Sequence, residues 1–263
     1  MNKKIVKRVF LIFFISIGLI FAFLFLGGWR LYLESGILYY SRWPRHNPSL
    51  PVVNPVAALW RDFHIRNGVL YAYTGSDENV SVPDGVTRIG QSAFAMNLSV
   101  RTVYIPYGVT YIGRYAFSRA NYLESINIPN SVITIGENAF SRCNALESIY
   151  IPDSVISIGY GAFFSCRSLA SVRLSENLTY ISPGTFVGCS ALEHIEIPES
   201  VTAIHLDAFA GNPSLVSIRI PESVVHIHVN VFLRTENVTI YGISGSYAEE
   251  FANRMNVPFA PED

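Results

Sequence analysis

The chain is poor in charge, in cysteine and in basic runs, and each shortage removes a class of function. Only 15% of its 263 residues are charged, the formal net charge is −1, and no Lys/Arg run follows residue 8. A nucleic-acid partner needs a basic footprint, so none is expected. The three cysteines, Cys143, Cys166 and Cys189, are too few and too regular for a disulfide framework, which shows an even number at varied spacings. The sequence contains no Gly-x-Ser-x-Gly elbow, no His-Glu-x-x-His and no Gly-x-x-x-x-Gly-Lys-Ser/Thr loop. An enzyme is therefore not expected, and neither is a cofactor. Serines are plentiful, but Ser131, Ser154, Ser200 and Ser223 recur directly before a valine that follows a proline. That placement suits hydrogen bonding within a loop better than activation by a base.

Half of the residues are hydrophobic, and part of that excess is local. Residues 9–28 form an apolar run interrupted only by Ser16, long enough as a helix, at about 1.5 Å per residue, to cross a hydrocarbon layer of about 30 Å. Lys3, Lys4, Lys7 and Arg8 precede it, and Arg30, Arg42 and Arg45 follow it. A cleaved signal peptide competes with this reading, but its apolar part is usually shorter and ends in small residues, whereas this run ends Leu24-Phe25-Leu26-Gly27-Gly28. The expectation is a cytoplasmic tail and transmembrane signal anchor over residues 1–28, with the remainder outside the cell. Residues 29–62 contain Pro44, Pro48, Pro51 and Pro55 among aromatics and arginines. They read as a juxtamembrane stalk, since such composition resists helix and central strand.

What the chain has in abundance is a period. Phenylalanine recurs every 23 residues, at Phe94, Phe117, Phe140, Phe163, Phe186, Phe209 and Phe232. A period of this length marks a solenoid, whose units bury their apolar faces only by stacking on one another. In residues 123–145 the apolar positions are Leu123, Ile126, Ile128, Val132, Ile135, Ala139 and Phe140. Leu-x-x-Ile-x-Ile contains the alternation of a short strand. Stacked units then form one parallel sheet of about seven strands, roughly 30 Å wide at about 4.8 Å per strand.

Other columns share the period. Pro83, Pro106, Pro129, Pro152, Pro198 and Pro221 end each strand, with Ser175 as the exception. Gly90, Gly113, Gly136 and Gly159 follow, and call for an unusual φ or a close backbone approach. Ser182, His205 and His228 replace them later. The cysteines align with Asn97, Ala120, Asn212 and Thr235, mostly small side chains able to hydrogen-bond a buried loop backbone, so they read as structural. A bridge between neighbouring cysteines is not excluded by strand spacing. At the ends, Asn67-Gly68 between two apolar runs predicts a capping hairpin, and Val238 with Ile240 a last strand reached by a shortened loop. Residues 246–255 predict an amphipathic helix covering the final edge. Four Asn-x-Ser/Thr triplets, at Asn79, Asn97, Asn177 and Asn237, read as incidental.

The pattern Leu123-x-x-Ile126-x-Ile128-Pro129-x-Ser131-Val132-x-x-Ile135-Gly136-x-x-Ala139-Phe140-x-x-Cys143 resembles the BspA-like class of leucine-rich repeats. Asn67 to Leu70, Tyr73 to Gly75 and Val82 to Thr87 are similar to that class's N-terminal entry, and Ile240 to Gly242, Gly245 to Ala248 and Pro258-Phe259 to its C-terminal close. The resemblance covers about residues 63–260. It implies a right-handed leucine-rich repeat superhelix of the α/β type over residues 63–244, closed by a helical cap over residues 245–263. It further implies a bacterial surface or secreted protein, adhesion or protein binding, and no shared catalytic residues.

If the framework columns are used for packing, binding falls to the outward strand positions, which solenoid curvature presents as one face. One column reads Tyr104, Asn127, Tyr150, Arg173, Glu196, Arg219, and a parallel one Arg101, Glu124, Glu147, Ala170, Glu193, Val216. Tyrosine and arginine are enriched in hot spots, which selects Tyr104, Tyr150, Arg173 and Arg219, with Glu196 between the arginines. A plain alternating charge ladder of Arg173, Glu196 and Arg219 competes with binding there. His205, His226 and His228 could converge as zinc ligands, although no cysteine or carboxylate completes the set, and exposed polar turn residues are the simpler reading. The expected function is non-covalent binding of a protein or other surface macromolecule by a membrane-anchored solenoid. The alternative is a structural or self-associating envelope element without a dedicated ligand.

Overall fold

The computed structural model describes residues 11–16, 19–26, 29–34, 37–42 and 61–262. Two compact units comprise Met1–Leu59 and Trp60–Asp263. In the first, strands β1 (Leu11–Ser16), β2 (Leu19–Leu26), β3 (Trp29–Glu34) and β4 (Ile37–Arg42) pair antiparallel in sequence order. Among the described residues no helix is long and apolar enough to cross a membrane. The transmembrane helix expected over residues 9–28 is thus not shown. The aromatic and β-branched content of these segments favours extended backbone as strongly as their length favours a span. β3 and β4 lie within the segment read as a stalk, and the prolines of that segment begin only at Pro44, after both strands. Residues 43–60 lie outside the described residues.

The second unit begins with the predicted hairpin, β5 (Phe63–Arg66) and β6 (Val69–Tyr73), paired antiparallel. Asn67 at φ 52° and Gly68 at φ 73° make its turn, with both central residues left-handed as a two-residue hairpin of this twist requires. From there the chain winds through about eight turns, all but the last containing two very short strands. Three-residue strands form one column: β7 (Asn79–Ser81), β9 (Thr102–Tyr104), β11 (Ser125–Asn127), β13 (Ser148–Tyr150), β15 (Ser171–Arg173), β17 (His194–Glu196) and β19 (Ser217–Arg219), then β21 (Thr239–Gly242). Two-residue strands form the other: β8 (Arg88–Ile89), β10 (Tyr111–Ile112), β12 (Thr134–Ile135), β14 (Ser157–Ile158), β16 (Tyr180–Ile181), β18 (Ala203–Ile204) and β20 (His226–Ile227). The unit is a parallel β-solenoid, not an α/β-type one, and the expected single sheet is two columns divided into several ladders. The proline that ends the first strand leaves room before the glycine column for the second, which a search for one strand per repeat overlooks.

The core is the phenylalanine column. Consecutive rings from Phe94 to Phe209 stack with centroids 4.9–5.6 Å apart and planes within 11° of parallel. Tyr73 closes this stack at one end and Phe251 of the C-terminal helix meets Phe232 edge-on at the other. Full burial of a phenylalanine removes roughly 150–250 Å² of side chain from water, so this column dominates the hydrophobic contribution of every turn.

The polar columns serve the buried backbone. The Cys143, Cys166 and Cys189 thiols donate to the carbonyls of Phe117, Phe140 and Phe163, each 26 residues earlier. Asn212 Nδ2 and Thr235 Oγ1 do the same for Phe186 and Phe209. All three cysteines are free and buried, without bridges. Ser131, Ser154, Ser200 and Ser223 donate to loop carbonyls 22 residues back. In the exceptional turn, Asn177 holds the serine position, and the hydroxyl of Ser175, in the proline column, bonds the Val155 carbonyl instead.

The glycine column is a matter of close approach. A Cβ on Gly136 would lie 2.7 Å from the Arg114 backbone nitrogen and 2.8 Å from the Gly113 carbonyl carbon. Where the column ends at Ser182, the two-strand column is interrupted between β14 and β16. The Ser182 hydroxyl there bonds the Ile158 carbonyl, the role that the Gly159 amide plays for Ile135. Toward the C-terminus Ile240 pairs with Ile218 after a 22-residue step, confirming the shortened loop. The closing helix, Tyr247–Met255, buries Ala248, Phe251 and Ala252, while Met255 is exposed. It shares the capping with β22 (Phe259–Pro261), which adds a parallel strand to β21.

Candidate functional site

The outward side chains of the three-residue strands are where the repeats differ. Tyr104 and Tyr150 are 57% and 55% exposed. Asn127 turns back on its own fold: its Oδ1 accepts the Ile105 amide at 2.7 Å and its Nδ2 donates to the Ile105 carbonyl at 3.1 Å. The structure brings Arg173, Glu196 and Arg219 around one concavity of about 620 Å³, and leaves Tyr104 outside it. Tyr150 joins indirectly, since the Arg173 guanidinium lies 4.9 Å from its ring centroid.

This concavity coincides with a break. β13 pairs with β15, and β17 pairs with β19, but β15 and β17 are not joined in one ladder. Arg173 Nη1 reaches back to the Ile151 carbonyl at 3.2 Å, as Asn127 does to Ile105, and in both cases the ladder stops at the following turn. Ala170 to Leu174, Glu176, His194 to Glu199 and Arg219 line the resulting depression.

The alternating ladder of Arg173, Glu196 and Arg219 is not formed. Arg173 instead makes a two-pronged pair with Asp153, Nη1–Oδ1 2.7 Å and Nη2–Oδ2 3.1 Å. Arg219 bonds Glu199 at 3.0 Å and Glu262 at 2.9 Å. The signal for this was in the sequence: Asp153, Glu176 and Glu199 form an acidic column directly after Pro152, Ser175 and Pro198, and Asp153 and Glu199 each lie 20 residues before the arginine they bind. Glu176, 20 residues before Glu196, lines the same concavity, and Glu196 enters no ion pair among the described residues. The Arg173 guanidinium, then the Glu176 amide, hold the Asp153 carboxyl below its ordinary range, and Asp153 in turn raises Arg173. Both arginines are thereby fixed before any partner arrives, which reduces the ordering cost of binding. The charge ladder occurs instead in the neighbouring column, where Arg101 bonds Glu124 and approaches Glu78 at 3.6 Å. His194, whose Nδ1 lies 2.7 Å from Ser217 Oγ, is a lining residue that the tyrosine-arginine criterion missed.

The histidines converge only in part. The His205 and His226 rings lie 6.2 Å apart, and Tyr180 meets His205 edge-on at 5.7 Å. His228 Nδ1 accepts the Asn230 amide at 3.1 Å. Among the described residues no group of three or more His, Cys, Asp or Glu side chains is placed to hold a metal ion.

Residues 64–146 and 110–239 match the BspA type leucine rich repeat region. A leucine-rich repeat protein of T. pallidum is 25% identical with a TM-score of 0.62, over 73% of this chain and 89% of that one. A leucine-rich repeat protein from Bacteroides ovatus shares the fold at 20% identity and a TM-score of 0.55, over 99% and 67% of the two chains. A leucine rich cell surface protein from Faecalibacterium prausnitzii is 33% identical over 64% of this chain and 54% of that one, with a TM-score of 0.49. No curated protein is matched. The family model covers residues 64–239, more than half of the chain, and agrees with the repeat columns and the stacked solenoid: the chain belongs to the BspA type leucine-rich repeat family.

Proposed function

We propose that this protein is displayed at a bacterial cell surface and binds another protein through its strand face, at the concavity between β15 and β17. The observation that carries this reading is the interrupted ladder at Arg173, Glu196 and Arg219, where two arginines fixed by acids flank an unpaired carboxylate. A partner offering a cation to Glu196 and acceptors to the arginines matches that sequence of charges, and Tyr150 extends the contact with an exposed ring. Family membership and likeness to a leucine rich cell surface protein support surface display. The mechanism of this proposal is surface recognition through complementary charge and an aromatic contact.

Residues 9–28 are proposed as the membrane attachment, on the sequence grounds of a 20-residue apolar run behind four basic residues. Retention of the full chain in carbonate-washed membranes, and its intact mass, test this; a species beginning near Trp29 contradicts an anchor. For the binding face, Arg173→Ala with Arg219→Ala is expected to weaken partner capture on cells by at least about tenfold, the scale of lost hot-spot arginines. Undiminished capture would remove the proposal.

A further inference from the structure

Several arginines of the solenoid are neutralised, and others are not. Arg101, Arg114, Arg173, Arg219 and Arg254 each pair with a carboxylate. Arg119, Arg142 and Arg167 are exposed and pair with none among the described residues, yet they lie together. Arg119 and Arg142 are equivalent residues of consecutive turns. The Arg119 amide donates to the Ser141 carbonyl at 2.8 Å and the Arg142 amide to the Phe164 carbonyl at 2.7 Å, so the backbones bearing the two side chains run in contact. With Arg167, Asn121, Asn144 and Ser165 they line a concavity of about 470 Å³ that contains no carboxylate.

Arg119 and Arg142 sit in the left-handed region, at φ 59° and 61°, as do Met96, Ser165, Gly188, Gly211 and Arg234 at the equivalent position of the other turns, so the repeat itself fixes the backbone from which these side chains leave. Three guanidinium groups around one concavity that contains no carboxylate repel one another, and a bound anion would offset that repulsion. The Arg142 guanidinium is held 6.0 Å from the Phe164 ring, which limits how far it can swing away. No lysine occurs after Lys7, so every cation here is a planar fork that matches a tetrahedral oxyanion in a two-pronged manner.

We propose that this edge is an anion-binding site that takes phosphate groups spaced along a polyanionic chain. Spacing matters because successive turns repeat at about 4.8 Å, close enough for neighbouring phosphates to meet neighbouring arginines. The site is separate from the strand face and does not depend on the binding proposed there.

The probe is inorganic polyphosphate, titrated against the detergent-solubilised full chain by calorimetry at low salt, with orthophosphate as the monomeric comparison. Saturable binding of polyphosphate, much tighter than that of orthophosphate and weakened by salt, is expected. Arg119→Gln/Arg142→Gln/Arg167→Gln should weaken it at least about tenfold. Arg101→Gln/Arg114→Gln/Arg254→Gln, which removes the same charge from paired arginines, should change it by less than about threefold. If the first triple variant melts abnormally, the single variants Arg119→Gln and Arg142→Gln replace it, each with an expected loss of about threefold. Equal weakening by the two triple variants would mean non-specific charge attraction, and absence of saturable polyphosphate binding would mean no site; either overturns the proposal.

Discussion

Phe140 and Phe163, one repeat apart, stack with ring centroids 5.3 Å apart and planes 2° from parallel. Each is wholly buried and each serves as wall for the next, so the loss of one ring exposes two neighbours to a void. Phe163→Ala is expected to cost about 3–5 kcal/mol, read as a lowered urea midpoint. Because a solenoid is coupled only through nearest neighbours, the same change should also split the unfolding transition, with hydrogen exchange quickening first in the adjoining turns.

The cysteine column makes a sharper prediction about hydrogen bonding. Cys166→Thr keeps a donor for the Phe140 carbonyl, as Thr235 does for Phe209. Cys166→Val has nearly the same shape and no donor. The valine variant should be less stable than the threonine variant by about 1–3 kcal/mol, the range for an unpaired buried carbonyl. Burial raises the Cys166 thiol to about 12 and pushes Cys143 and Cys189 well above the ordinary value. A thiol reagent should therefore label none of the three in the native state and all three in denaturant.

Glycine positions separate crowding from φ. Gly136→Ala places a Cβ against backbone atoms that cannot move without shifting the preceding turn. Gly85→Ala, at φ 86° with open space around it, meets only conformational strain of about 1 kcal/mol. The alanine at 136 should be the more damaging of the two, measured as melting temperature.

Much of this was legible in the sequence because a repeat states each structural requirement several times. The phenylalanine, proline and cysteine columns, the Asn67-Gly68 hairpin and the shortened last step all follow from period and side-chain size. The second strand column was not legible: two residues such as Thr134-Ile135 are too short to show alternation. Nor was the choice of partner by Arg173, since Glu196 occupies the equivalent position of the next turn, whereas Asp153, 20 residues back, belongs to a different column. The unpaired group at Arg119, Arg142 and Arg167 escaped because it spans two columns: Arg119 and Arg142 share one with Met96, Ser165, Gly188, Gly211 and Arg234, and Arg167 shares another with Asn121 and Asn144. Residues 9–42 show the limit of composition, where the same apolar and aromatic residues satisfy a span and a set of strands.

Asp153 supplies a pH prediction. Its carboxyl titrates lower in the folded chain than its ordinary value of 3.8, first because Arg173 bonds it. A depressed carboxyl stabilises the fold at pH values above the unfolded pKa, and that stabilisation is lost as pH falls from there through the folded pKa. Asp153→Asn should therefore be less stable than the parent near neutrality and converge with it as the pH falls through the lowered pKa of the folded chain. A melting series between about pH 7 and 2 reads this directly; a constant gap across the range would mean that ionisation of Asp153 is not the cause.

The central claim is that the interrupted ladder between β15 and β17 is a protein-binding face. A photo-crosslinking residue placed at Glu196 in the full chain on living cells tests it most directly, beside the same residue at Glu137, which is exposed and outside the concavity. The account predicts a discrete crosslink to a different protein from position 196 and none from position 137. A crosslink from 196 only to a second copy of this chain, or equal yields from both positions, would contradict it.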